Sequence, residues 1–167
     1  NKDIMTLLGT VYGMGAEADK YARYFDSVMR RVKSGTSDIP GTKRARVLYC
    51  NFKTFKQTSS IADWWIETAG GISLGKKGPV IDGARTFSAE DVLAWNPDIW
   101  IVSTPEEVDM VYADPRFKAV TAVRRRKLFF VPTGSLRWSH PTSEQPLAVL
   151  WAAKLFYPER FKDLDMK

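Results

Sequence analysis

The chain has 167 residues, a net charge of +6, and 44% hydrophobic and 13% aromatic content, enough to bury one ordinary core without staples. Its single cysteine, Cys50, excludes an internal disulfide and reads as a small buried apolar group near a strand end. No run approaches the roughly 20 apolar residues that span a bilayer. The first nine residues lack the basic region, apolar run and cleavage site of a signal peptide, and the chain does not begin with Met, so position 1 is expected to be a processed end or the edge of a fragment.

In chain order, residues 3–12 have helical periodicity and end at Gly13. A longer helix follows over 16–33, where Ala18, Ala22, Phe25, Met29 and Val32 fall at spacings of four and three and form one apolar stripe. A polar Gly/Pro connector leads to a strand at 45–51. Next comes a helix over 60–69, with Ser60 and Asp63 as a capping pair and Gly70-Gly71 as its end, and then a short strand at 72–74. Residues 75–87 read as a rim loop and 88–98 as a short helix with Ser88 and Asp91 as a capping pair and Pro97 as its stop. The almost continuously apolar run 98–103 reads as a strand buried on both faces.

Thr104-Pro105-Glu106-Glu107 is a strong helix start, with cap, first-position proline and acid in order. A short helix around 115–123 precedes a strand at 128–132, and a terminal helix runs from about 142 to 157, with Thr142 and Gln145 as a capping box and Pro158 as its stop. Strands alternating with helices over short links predict an α/β fold: a three-layer, Rossmann-like lobe with a parallel sheet of four or five strands, preceded by a long helix.

Ligands of open α/β sheets bind at the carboxyl ends of the strands. Three loops should meet there, at 51–58, 103–107 and 133–141. Lys53, Lys56, Arg137 and His140 can neutralise carboxylates, catecholates or an oxyanion, while Phe52, Phe55 and Trp138 can lie against a planar or apolar ligand body. Enzymatic readings lack their motifs. His140 is the only histidine, which excludes a site of two or three imidazoles, and there is no Gly-X-Ser-X-Gly elbow, no Gly-X-Gly-X-X-Gly after a strand and no Walker loop. The paired acids Glu90-Asp91 and Glu106-Glu107 stand in helix first turns, where dipole and capping account for them. The cluster Arg124 to Lys127 raises nucleic-acid binding, but it lies between a helix end and a strand, where cations are expected anyway, and no base-reading motif accompanies it. No nucleic-acid partner is expected.

Six ordered features, among them "LGTVYGMGAEADKYARYF", "IETAGG", "FSAEDVLAWNPDIWIV" and the closing "WSHPTSEQPLAVLWAAKLFYPERF", make the chain resemble the substrate-binding proteins of ABC importers for metal chelates, which serve ferric siderophores, haem, cobalamin and some oxyanions. The resemblance implies half of a two-lobed protein: residues 1–34 as the linking-helix region and 45–167 as the C-terminal lobe, with the N-terminal lobe and signal peptide absent. It implies a non-enzymatic carrier without cofactor or resident metal, periplasmic or membrane-anchored outside the cytoplasm, that captures an anionic metal chelate such as an iron siderophore and delivers it to a membrane permease. It also implies that Glu90 docks against permease arginines, and that Arg137, Trp138 and His140 lie on the binding loop. The alternative from another class is a small stand-alone α/β enzyme or regulatory domain acting on a phosphorylated or carboxylated metabolite.

Overall fold

The computed structural model describes residues 2–58 and 61–165. Two helices open the chain, α1 (Lys2–Val11) and α2 (Gly15–Thr36), folded back on each other through Gly13 in the left-handed region. Gly9 makes the close approach possible, because a Cβ there would stand 2.4 Å from that of Ala18. The 22 residues of α2 give it a length of about 33 Å. The expected apolar stripe faces the core, with Ala18 and Val32 buried, Met29 packed partly covered on the core and Phe25 on Trp64, and Val28 and Thr36 are buried beside it.

The main sheet is parallel, with strands in the order β3 (Ile72–Ser73), β1 (Arg46–Cys50), β6 (Ile99–Val102) and β7 (Leu128–Phe130). Alternation along the two central strands builds two cores. Val47, Tyr49, Ile99 and Ile101 face α2, α3 (Ile61–Thr68) and α7 (Gln145–Phe156), while Leu48, Cys50, Trp100 and Val102 face α4 (Ala89–Trp95) and α5 (Pro105–Ala113). The result is the expected three layers, with four strands among the described residues. The Cys50 thiol lies fully buried with Trp100 Nε1 donating to its sulfur at 3.3 Å, and burial pushes it up to about 12, so it remains an unreactive thiol.

Ser88 and Asp91 form the expected reciprocal cap at the start of α4. The Ser60 half of the other proposed pair lies outside the described residues; Asp63 itself is buried and accepts from Gln57 Nε2 at 3.0 Å, Ser73 Oγ at 2.5 Å and Arg85 Nε at 3.3 Å.

Four expectations require correction. Residues 75–87 are not a plain loop: a 3-10 turn at Leu74–Lys77 leads into β4 (Val80–Ile81) and β5 (Ala84–Thr86), joined through Asp82 and Gly83 at positive φ and paired with β2 (Lys56–Gln57) in a second, antiparallel sheet. Strands of two or three residues are too short to show alternation, although Asp-Gly is itself a hairpin signal. The helix near 115–123 is broken into a 3-10 turn, Pro115–Phe117, and a single turn α6 (Thr121–Arg124), because Asp114 caps the first and Asn96 Oδ1 receives the Thr121 amide at the second. The last strand stops at Phe130, two residues before Pro132, which has no N–H to give a ladder. Finally, α7 starts at Gln145, and Thr142 Oγ1 accepts from the Glu144 amide at 3.2 Å without a capping box.

Candidate functional site

At the carboxyl edge of the sheet, the segments after β1 and β7 and the end of β6 enclose a recess of about 230 Å³. Tyr49, Asn51 and Ser103, at the ends of the two central strands, form one side of it, and Ser139 comes from the last loop. Into it converge Lys56, Arg137 and His140, with Thr54 and Thr58 completing the rim. Among the described residues, no carboxylate lines it. A cavity with one guanidinium, one ammonium, one imidazole and several hydroxyls offers mostly donors, which suits an anion and does not suit a bare cation.

The first loop is held from within. Asn51 Oδ1 accepts from the Thr54 amide at 3.0 Å and its hydroxyl at 3.1 Å, and the Asn51 amide closes the loop by donating to Lys56 O at 3.0 Å. Phe55 adopts a positive φ of 50° and places its ring against Phe52 and Phe117, centroids 5.6 and 6.1 Å away. The loop therefore presents Lys56 to the recess and commits Phe55 to packing. Lys53, on the same loop, is exposed and not part of the recess wall; its charge lies near Glu106.

Below Asn51 is a residue whose role sequence reading missed. Glu107 is 1% exposed, and its carboxylate accepts from Asn51 Nδ2 at 2.7 Å through Oε1 and from the Ser103 amide at 2.9 Å through Oε2. It ties the ends of β1 and β6 together directly beneath the recess. Its position four residues after Ser103 at a strand end was a signal, but a first-turn acid of α5 already had a sufficient explanation in the helix dipole. Thr104, expected to cap α5, makes no side-chain bond to the helix amides.

The last loop is held by Glu144. Its carboxylate accepts from the Ser135 amide at 3.2 Å, and this bond, aided by the Leu136 amide, the Ser135 hydroxyl and the Trp138 indole, keeps the carboxyl below its ordinary range against a smaller opposing effect of burial. Gly134 leaves room for this carboxylate, since a Cβ there would stand 2.3 Å from Glu144 Oε1 and push that side chain aside. The Trp138 amide donates to Pro132 O and the His140 amide to Arg137 O, which curls the loop so that Arg137 and His140 face the recess while Trp138 packs partly buried on the core. Of the six side chains expected to bind ligand, the fold brings Lys56, Arg137 and His140 to one place; Lys53, Phe55 and Trp138 lie apart from the cavity wall. Glu90 is exposed in the first turn of α4. Since α4 runs back to the start of β6, its first turn stands at the carboxyl edge, the rim that carries the recess.

An open α/β lobe with a donor-lined hollow at its carboxyl edge defines a small-molecule binding module. The family described as periplasmic binding protein matches residues 1–133, and the chain belongs to it. The molybdate-binding protein MolA of Haemophilus influenzae is 25% identical over 99% of this chain and 48% of its own length. The MolA crystal structure with molybdate bound superposes with a TM-score of 0.81, at 25% identity over 98% of this chain and 51% of that one. A periplasmic solute-binding protein of Veillonella parvula superposes with a TM-score of 0.82 at 24% identity, again over 98% and 51%. An ABC transporter solute-binding protein of Sulfurospirillum deleyianum reaches 0.85 at 22% identity, over 96% and 51%. The chain thus spans about half the length of the relatives it matches. No helix among the described residues is long and apolar enough to cross a membrane.

Proposed function

We propose that the chain is one lobe of the substrate-binding component of an ABC importer, and that its recess takes a small oxyanion of the molybdate type. The convergence of Lys56, Arg137 and His140 on a hollow without carboxylates carries this reading. A bulky chelate such as an iron siderophore would want the aromatic contacts that Phe55 and Trp138 could have made, and those rings are spent on packing. Binding that rests on donors and charge needs no cofactor. The molybdate ligand of MolA agrees in chemistry with this donor set. In this reading Glu90, exposed on the same rim, is the contact for a cationic surface of the permease, which receives the cargo.

Fluorescence titration of the protein's tryptophans decides the matter, with molybdate, sulfate, a ferric siderophore, haem, cobalamin and a nickel salt as titrants. A saturable response to an oxyanion is expected, with Trp138 the nearest reporter on the loop that closes on it. A response to free nickel alone, or to the siderophore and not the oxyanion, overturns the cargo assignment; turnover of a phosphorylated or carboxylated metabolite overturns the carrier.

A further inference from the structure

The cations at 124–127 have no part in the recess. They precede β7 and so stand at the opposite, amino edge of the sheet, where Arg125, Arg126 and Lys127 border a hollow of about 580 Å³ floored by Phe129, Trp151 and Leu155. A second hollow of about 530 Å³ shares Phe129 and Trp151 with it and continues along β7 toward Pro132. Together they make one groove that follows the strand.

Three observations mark this groove as a docking surface. First, β7 ends the sheet order, so its outer edge is unpaired among the described residues. Lys127 O and the Val131 amide are taken by Trp100 and Val102 of β6, and by alternation the N–H and C=O groups of Leu128 and Phe130 point outward into the groove. The Phe130 side chain is 46% exposed beside them.

Second, the charge at the amino end of the groove is unpaired; the carboxylate on its wall, Asp109, borders the other hollow, toward Pro132. Among the described residues the side chains of Arg125, Arg126 and Lys127 have no ion-pair or hydrogen-bond partner, whereas Lys154, which also borders the groove, donates to Leu164 O.

Third, the backbone holds Arg126 where glycine would be at ease. Lys127 N donates to Ala122 O and Arg126 N to Val123 O, the paired bonds that end a helix with a left-handed residue, and that residue is Arg126 at φ 52°. Glycine takes this position without strain. At this position the chain carries an arginine, whose side chain borders the groove.

We infer that the groove along β7 binds an acidic, extended peptide segment of a partner protein, which adds a strand to the sheet edge with its carboxylates against Arg125, Arg126 and Lys127. Backbone pairing to Leu128 and Phe130 supplies affinity, Trp151 and Phe129 receive the apolar side chains, and charge complementarity selects an acidic sequence. A second copy of this chain is disfavoured as the occupant, because its own β7 edge, residues 128–132, has no carboxylate to offer these cations. This inference is independent of the recess and its cargo.

The test uses the full chain and a fluorescein-labelled hexapeptide of alternating valine and glutamate. Saturable anisotropy, weakened by salt, is expected, with slowed hydrogen exchange at the Leu128 and Phe130 amides. Arg126→Gly removes the cation while easing the backbone, so it should fold with unchanged or higher Tm and bind the peptide about twofold to fivefold more weakly, the effect of one exposed charge contact. Peptide binding that leaves those two amides unprotected overturns the inference, as does equal affinity in Arg126→Gly. Preferential binding of phosphatidylglycerol vesicles or of an oligonucleotide at these cations overturns it in favour of a lipid or nucleic-acid surface. Self-association of Arg126→Gly without any peptide effect would make the cations guards of a bare edge, which also overturns it. Oxyanion titration of the same variant should be unaffected, which separates failure here from failure of the recess.

Discussion

The two edges of the sheet carry similar numbers of cations and build them differently. At the carboxyl edge Lys56, Arg137 and His140 stand on loops tied down by carboxylates, Glu107 through buried and partly buried hydrogen bonds beneath one loop and Glu144 through an exposed one on the other. At the amino edge Arg125, Arg126 and Lys127 rise from a helix end over apolar side chains, with no carboxylate paired to them among the described residues. A fixed cluster of donors can select a small rigid anion, because its geometry is set before the ligand arrives. An unsupported cluster beside an open strand can only select charge, which fits a longer and more adaptable partner.

The sharpest way to break the comparison is to remove the support at one edge and leave the other untouched. Glu107→Ala leaves the buried Asn51 amide and the Ser103 N–H without acceptors, which should cost roughly 2–5 kcal/mol and lower Tm by about 10 °C in thermal unfolding. It should also abolish oxyanion binding, because Asn51 organises the loop that presents Lys56. Glu107→Gln, which can still accept one of the two bonds, should recover part of the stability. Equal stability of the alanine variant and the parent would show that Glu107 does not hold the two strand ends together.

The next largest effect is on affinity. Arg137→Ala removes a charged donor whose contact with an anion is worth roughly 1.5–3 kcal/mol, so the Kd should rise by about tenfold to a hundredfold. The residue is exposed, and Tm should stay within a degree or two. Unchanged affinity would take the 133–141 loop out of the site.

A smaller effect depends on pH. The Glu144 carboxyl titrates below its ordinary value because the folded loop donates to its ionised form, so its contribution to stability is fully present at pH above about 4.3 and is lost as the pH falls through the lowered value in the fold. Loop order, and with it oxyanion affinity, should therefore fall in acid below the ordinary glutamate range, by more in the parent than in Glu144→Gln. Identical acid titrations of parent and variant would separate Glu144 from the loop.

How much of this could be read in the sequence depends on the range of the interactions. The strands at 46–50 and 99–102 were plain, since continuous apolar runs need no partner to be recognised, and the Ser88–Asp91 cap is local. The second sheet was not, because β2 joins β5 across nearly thirty residues and each strand is too short to show a period. In the site, Arg137 and His140 were found because one loop carries both, and Lys56 because it follows a strand end. The fate of Phe55 and Trp138 was hidden: an aromatic residue on a rim loop can turn to ligand or to core, and only the positions of Phe52 and Phe117, and of the core cluster beneath Trp138, decide which. Glu107 and Glu90 show the same limit. Both are first-turn acids in sequence, and only the fold buries one and exposes the other.

That contrast also sets the smallest expected effect. Glu90→Ala leaves the Ser88–Asp91 cap intact and deletes an exposed charge at a helix start, worth about 0.3–1 kcal/mol at most, so Tm should move by no more than a few degrees. Arg116 keeps its bidentate partner Asp114, the main cause of its raised pKa, so no cation is stranded. Because Glu90 is outside the recess, oxyanion affinity should not change. What should change is the rate of association with the permease in reconstituted vesicles, and only at low ionic strength, where an exposed charge steers encounter before it is screened. Uptake at the parent's rate across all salt concentrations would remove Glu90 from the docking surface while leaving the recess as the cargo site.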